Sequence, residues 1–179
     1  RPRFALFDPE LTLTLPTWQT FSGITDILDH VFERYFSSTK SSDLMDHMCE
    51  AAAKSIMRNA RILVNEPNNY DARAEIMLAG SVAHNDMLSL GRMPDWGTHN
   101  IGHQLSVLYG VSHGASLSAV RPAWMRYNFK RDINQWVKFA VRIMGVEYDP
   151  ADPERVVEEG IVKLENFYHE IGMPIRISE

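Results

Sequence analysis

The chain has 179 residues, is 45% hydrophobic and carries a formal net charge of -5, with an isoelectric point near 5.8. That length supports one domain with a sizeable core, and the acidic balance gives no electrostatic reason to bind nucleic acid or an anionic membrane. Cys49 is the single cysteine, so no intrachain disulfide can form; with no run of about 18 apolar residues and no signal-like start, a cytoplasmic setting is expected.

Phe4 to Phe7 reads as a short apolar strand, yet nothing else in the chain clearly supplies a sheet for it. Both ends therefore look cut, with a partner domain expected upstream and no evident closing element after Gly172-Met173-Pro174. A first helix is expected from Thr17 or Phe21 through Tyr35, broken by Ser37 to Lys40. Ser41 or Ser42 caps a second, from Leu44 to about Val64, in which Leu44, Met48, Ala52 and Ile56 recur at spacing four and Asn59 and Leu63 extend the row. After the turn Pro67-Asn68-Asn69, a third runs from Tyr70 to about Leu90, with Ile76, Ala79, Ala83 and Met87 on one side and Gly91 as its stop. Arg92 to Gly97 is a loop, Thr98 to Tyr109 a helix, and Gly114 to Arg126 another that Pro122 must kink or end. Segments Arg131 to Met144 and Pro153 to Ile171 complete an all-α pattern without internal repeat or domain boundary.

The chemistry gathers in two clusters. Asp26 and His30 stand four apart, as do His99 and His103, so each pair shares a helix face; His113 returns to them through the loop suggested by Tyr109-Gly110-Val111-Ser112. Two helical segments and a loop can thus converge on one ion. Gly97, Gly102 and Gly114 crowd the second cluster although glycine costs about 1 kcal/mol in a helix interior relative to Ala, which signals close backbone approach. A shell of one carboxylate and three imidazoles suits Fe2+, Zn2+, Mn2+ or Ni2+ and disfavours Ca2+. There is no HExxH, no multi-cysteine zinc site, no glycine-rich dinucleotide loop and no phosphate-cradling GKS or GKT. His47 and His169 read as surface residues, His84 as a satisfied histidine or a group behind the ligands, Cys49 as an inert buried thiol, and Trp96 as either a pocket wall or a loop anchor.

At these residues the sequence resembles the iron-containing, group III alcohol dehydrogenases, in particular the butanol dehydrogenase and broad aldehyde reductase branch. The family segment Gly-x-x-Asp-x-x-x-His-x-x-Glu-x-Tyr is matched by Gly23, Asp26, His30, Glu33 and Tyr35, and the second signature by His99, His103 and His113-Gly114. Asp95-Trp96, Pro122-Ala123-Trp124, Asp8-Pro9-Glu10-Leu11-Thr12 and Asp71-Ala72-Arg73-Ala74-Glu75 extend the likeness over essentially the whole chain. Arg121 departs from the apolar residue expected before Pro122, a change expected to leave the metal site untouched.

The resemblance implies a metal, Fe2+ or alternatively Zn2+, held by Asp26, His30, His99 and His113, with His103 near the nicotinamide and substrate as the proton-handling catalytic residue. It implies that residues 1–179 form the all-α, bundle-like C-terminal domain of a two-domain dehydrogenase. The short N-terminal strand would be left from an absent Rossmann-like NAD or NADP domain, and the last helices would also be absent. The intact parent would be a homo-oligomer, a dimer, transferring hydride between NAD(P) and a small alcohol or aldehyde, the fragment alone being inactive. The competing reading is a helical metal-binding or partner-binding module without redox chemistry; a metal-dependent hydrolase is a third.

Overall fold

Residues 3–39 and 42–179 are described in the computed structural model, and among them the architecture is helical throughout. Its α-helices are α1 (Thr17–Tyr35), α2 (Asp43–Asn65), α3 (Tyr70–His84), α4 (Gly97–Tyr109), α5 (His113–Asn128), α6 (Ile133–Lys138) and α7 (Pro153–Glu170). α1 packs against α2, α3 and α5; α4 lies on α5, and α7 closes against α5 and α6. No helix among the described residues is long and apolar enough to cross a membrane.

The sequence of α1 explains its central position. Ile24, Leu28, Phe32 and Tyr35, each at most 1% exposed, form one stripe at helical spacing and enter the core. Asp26, Asp29, His30 and Glu33 repeat at the same three- and four-residue spacing on the opposite side, because each residue advances about 100°. Asp29 and Glu33 are fully buried as well. α1 is therefore enclosed on both sides, apolar toward α2 and α3, polar toward α4 and α5.

The apolar N-terminal strand is not formed. Residues 4–8 have no regular secondary structure and lead into a 3-10 turn, Pro9–Thr12, and Phe4 and Leu6 are exposed; no strand is present among the described residues to pair with them. In α2 the buried row is Cys49, Ala53, Ile56, Ala60 and Leu63, whereas Leu44 is exposed and Met48 and Ala52 are only partly buried. An unbroken spacing of four drifts about 40° per step, so the row that starts off the core face at Leu44 turns onto it only at Ile56. Ser42 occupies the N-cap position without a side-chain capping bond, and Lys40 and Ser41 lie outside the described residues.

α3 stops at His84, six residues before the expected Leu90, because Asp86 takes a left-handed backbone conformation (φ 68°) and a separate 3-10 turn, Met87–Ser89, follows. Its start is as expected, with the Asn69 side chain accepting from the Ala72 N–H at 3.0 Å. α5 continues through Pro122, which forfeits one backbone bond without ending the helix. The segment expected as one helix from Arg131 to Met144 divides into a 3-10 turn, α6 and a π turn, Phe139–Ile143, where the Met144 N–H reaches back to the Phe139 carbonyl.

Candidate metal centre

Four elements bring the site together. α1 presents Asp26 and His30, α4 presents His99 in its first turn, His113 is the first residue of α5, and His84 ends α3. His113 thus belongs to a helix start rather than to the preceding loop. Two glycines set these approaches. A Cβ on Gly97 would lie 2.1 Å from the Trp124 ring, and one on Gly114 would lie 1.9 Å from the Ser22 carbonyl oxygen, so α5 meets α1 at backbone contact.

The donors converge on one carboxylate oxygen. Asp26 Oδ1 lies 3.5 Å from His99 Nε2, 3.6 Å from His30 Nε2 and 3.6 Å from His113 Nε2. Donors about 2.1 Å from a tetrahedral cation sit about 3.4 Å apart, so each of these separations from Asp26 suits a shared ion; the donor atoms close to one another fall into two sets that share Asp26, one with His99 and His113 and the other with His30 and His84. Asp26 Oδ1 and His99 Nε2 are buried without a hydrogen-bond partner; polar atoms withdrawn from water in this way call for a cation between them. His84 Nε2 lies 4.0 Å from Asp26 Oδ2, its ring centroid is 3.9 Å from that of His30, and its Nδ1 contacts the Gly80 carbonyl at 2.7 Å. His103 stands outside the cluster: exposed, with its ring stacked on His113 at 4.6 Å between centroids.

Behind the donors the partners fix His99. Its Nδ1 lies 3.0 Å from Glu33 Oε1 and 3.2 Å from Asp29 Oδ2, and its backbone N–H donates to the same Glu33 oxygen. A proton on Nδ1 leaves Nε2 as the donor atom facing Asp26, the arrangement by which carboxylates orient ligating imidazoles. Burial opposes charge on His99, but the acceptors Asp26, Asp29 and Glu33 outweigh it and raise its pKa to about 10. Burial, helped by His84, pushes His30 down to about 3, and burial also lowers His113. Burial would raise Asp26, yet His99 at 3.5 Å and the neighbouring His30 and His113 hold it below the ordinary carboxylate value. Arg34 NH1 lies 3.0 Å from His30 Nδ1 and also donates to the His30 carbonyl at 2.8 Å. As it stands the contact needs Nδ1 to accept, which leaves the proton on Nε2; ligation through Nε2 moves the proton to Nδ1 and requires the guanidinium to leave that nitrogen, with the His30 carbonyl as its remaining acceptor.

Trp96 packs edge-on against His30 and His99, at 5.6 and 5.2 Å between centroids, and lies under Arg34. It braces the imidazoles as well as its loop. Asp95 anchors the loop: its carboxylate accepts from the Gly97 N–H and Trp124 Nε1, and its own N–H donates to the Glu33 carbonyl. Arg121 overturns the expectation that it leaves the site alone. It is fully buried, its Nε on Asp29 Oδ1 and its NH2 3.0 Å from Glu33 Oε1.

Residues 20–179 match the family described as Fe-containing alcohol dehydrogenase family, C-terminal. The chain belongs to that family. Probable NADH-dependent butanol dehydrogenase 1 of Bacillus subtilis (strain 168) is 36% identical over 178 residues, covering 99% of this chain and 46% of the relative. The chain thus spans about half the length of the curated relatives it matches. Among solved structures, NADH-dependent butanol dehydrogenase A from Thermotoga maritima superposes with a TM-score of 0.90 at 32% identity, over 96% of this chain and 42% of that one. The aldehyde reductase YqhD from E. coli superposes with a TM-score of 0.91 at 29% identity, over 99% and 46%. Family membership accords with the helical architecture of a C-terminal part.

Proposed function

We propose that this chain is the metal-binding helical domain of an NAD(P)-linked alcohol dehydrogenase or aldehyde reductase, with Asp26, His30, His99 and His113 as ligands to Fe2+, Zn2+ being the alternative. The observation that carries the reading is the convergence of three imidazole Nε2 atoms within 3.6 Å of Asp26 Oδ1. A divalent cation bound there supplies Lewis acidity toward an alcohol or aldehyde oxygen. Asp26 and the three imidazoles fix its position, and Glu33 and Asp29 hold His99 in the ligating tautomer. His103, exposed and stacked on His113, accepts or donates the substrate proton at the rim, a role suited to an imidazole near neutrality. The nicotinamide is held by a further domain of the intact protein, a cytoplasmic homodimer, and small alcohols and aldehydes are the substrates. Alone, residues 1–179 are inactive, because proximity to the cofactor, which can contribute about 7 to 11 kcal/mol, is lost.

Elemental analysis of the anaerobically purified intact protein tests the reading, together with butanol and butyraldehyde turnover with NAD(H) and NADP(H). About one equivalent of iron or zinc is expected, lost in Asp26→Ala and His99→Ala. His103→Ala should keep its metal while turnover falls roughly 100-fold or more. Metal loss in His103→Ala would overturn the division of roles, and a metal-loaded protein inert toward alcohols and aldehydes would favour the non-redox module.

A further inference from the structure

Asp29, Glu33 and Arg121 each have 0% exposure, and they meet immediately behind His99. Arg121 Nε donates to Asp29 Oδ1 and its NH2 lies 3.0 Å from Glu33 Oε1, while Asp29 Oδ2 and Glu33 Oε1 lie 3.2 and 3.0 Å from His99 Nδ1. One guanidinium thus spans the two carboxylates that face one imidazole nitrogen. Its Nε holds Asp29 by a hydrogen bond while its NH2 attracts Glu33 by charge at 3.0 Å without a hydrogen bond, a pairing with two carboxylates that an apolar side chain cannot make.

Stability alone does not explain the arrangement. Three charged groups withdrawn from water carry a desolvation penalty that well-packed apolar residues would avoid, and replacing such buried clusters is often neutral or stabilising. What the cluster provides is geometry. With Arg121 held on α5 and both carboxylates on α1, the acceptors for His99 Nδ1 cannot turn away, so Nε2 stays directed at Asp26 Oδ1. We propose that Arg121, acting through Asp29 and Glu33, is a positioning residue for the metal ligand His99. The proposal rests on the metal-centre reading above.

Two effects of Arg121 have opposite signs, which makes the role separable. As a nearby positive charge it repels a cation, so through-space electrostatics predicts that Arg121→Met binds metal more tightly. Positioning predicts weaker binding. The double variant Asp29→Leu/Arg121→Met removes a neutral pair, leaves net charge unchanged and replaces a costly buried ion pair with apolar volume, which protects the fold where the single variant fails.

The test is a Co2+ titration of the apo form of the intact protein, with affinity measured by chelator competition and geometry by the visible ligand-field bands, alongside thermal unfolding. Wild type should bind one Co2+, and binding should fall about 10- to 100-fold in both variants, the usual effect of removing a partner behind a ligand. The ligand-field bands should shift in both, and the double variant should melt near wild type. Unchanged affinity and bands in a folded double variant, or tighter binding in Arg121→Met, would overturn the positioning role while leaving the metal centre standing. A wild type that binds no Co2+ would overturn the metal centre and this proposal together.

Discussion

Gly114 shows how a single residue controls the meeting of two elements. Replacing it with Ala would gain at most about 1 kcal/mol of helix propensity, but the new Cβ would lie 1.9 Å from the Ser22 carbonyl oxygen. Backbone cannot yield as a flexible side chain can, so the clash wins. Gly114→Ala is expected to destabilise the fold by about 1–3 kcal/mol and to lower metal occupancy by displacing His113, checked by urea denaturation and elemental analysis. His84→Ala should have a smaller effect on occupancy than His99→Ala, since His84, though close to Asp26 and His30, faces Asp26 Oδ2 at 4.0 Å rather than the Oδ1 on which the other imidazoles converge; equal losses would make His84 a ligand. At this scale the sequence is informative where spacing is local. Asp26 with His30, and His99 with the glycines around it, are visible because helix geometry joins residues three or four apart. Asp29 lies on the same stripe and carries that signal too, but its partner Arg121 is 92 positions away, and no local pattern announces such a pair.

At the scale of elements, helix existence was legible in the amphipathic spacing, and helix ends were less so. α3 ends early through the backbone conformation of Asp86, and the region after Arg131 divides by choosing among i+3, i+4 and i+5 bonds of similar local cost. Arg92 shows what secures the joints instead. Its guanidinium donates to the Arg34 carbonyl at the end of α1, to the Ser42 carbonyl before α2 and to Asp46 Oδ1 at 2.7 Å. Burial would raise the Asp46 pKa, but Arg92 and Lys138 outweigh it and hold it below 3.8. A carboxylate depressed in the folded state contributes stability that is complete above its unfolded pKa and disappears as pH falls through the folded value. Melting temperature measured from about pH 5 down to pH 2 should therefore fall more steeply in wild type than in Asp46→Asn, which starts lower by about 1–3 kcal/mol. Parallel curves would remove Asp46 from the acid response.

For the whole molecule, the same cluster couples ligand binding to folding. The ligands come from α1, α4 and α5, so an ion that binds all of them favours the folded chain, by about 4 kcal/mol at a free concentration 1,000 times its dissociation constant. Chelation should lower the melting temperature of wild type but leave His99→Ala unchanged, and an equal drop in both would place the chelator's effect elsewhere. The helical class was legible because the polar and apolar stripes are both long. The strand at Phe4 to Phe7 was misread because a short apolar run has the same pattern whether it pairs or stays coil. Among the described residues it finds no strand to pair with.

α1, lined with fully buried residues on both its apolar and its polar side, has a consequence for how this chain can vary. Inserting or deleting one residue within it would turn everything downstream by about 100°, misaligning core and ligands in one event, so there is no intermediate that keeps one and loses the other. Length changes can be absorbed outside it, as in residues 145–152 between the π turn and α7, where no helix lies. The helix acts as a fixed reading frame in three dimensions, within which the chemistry and the packing are inherited together.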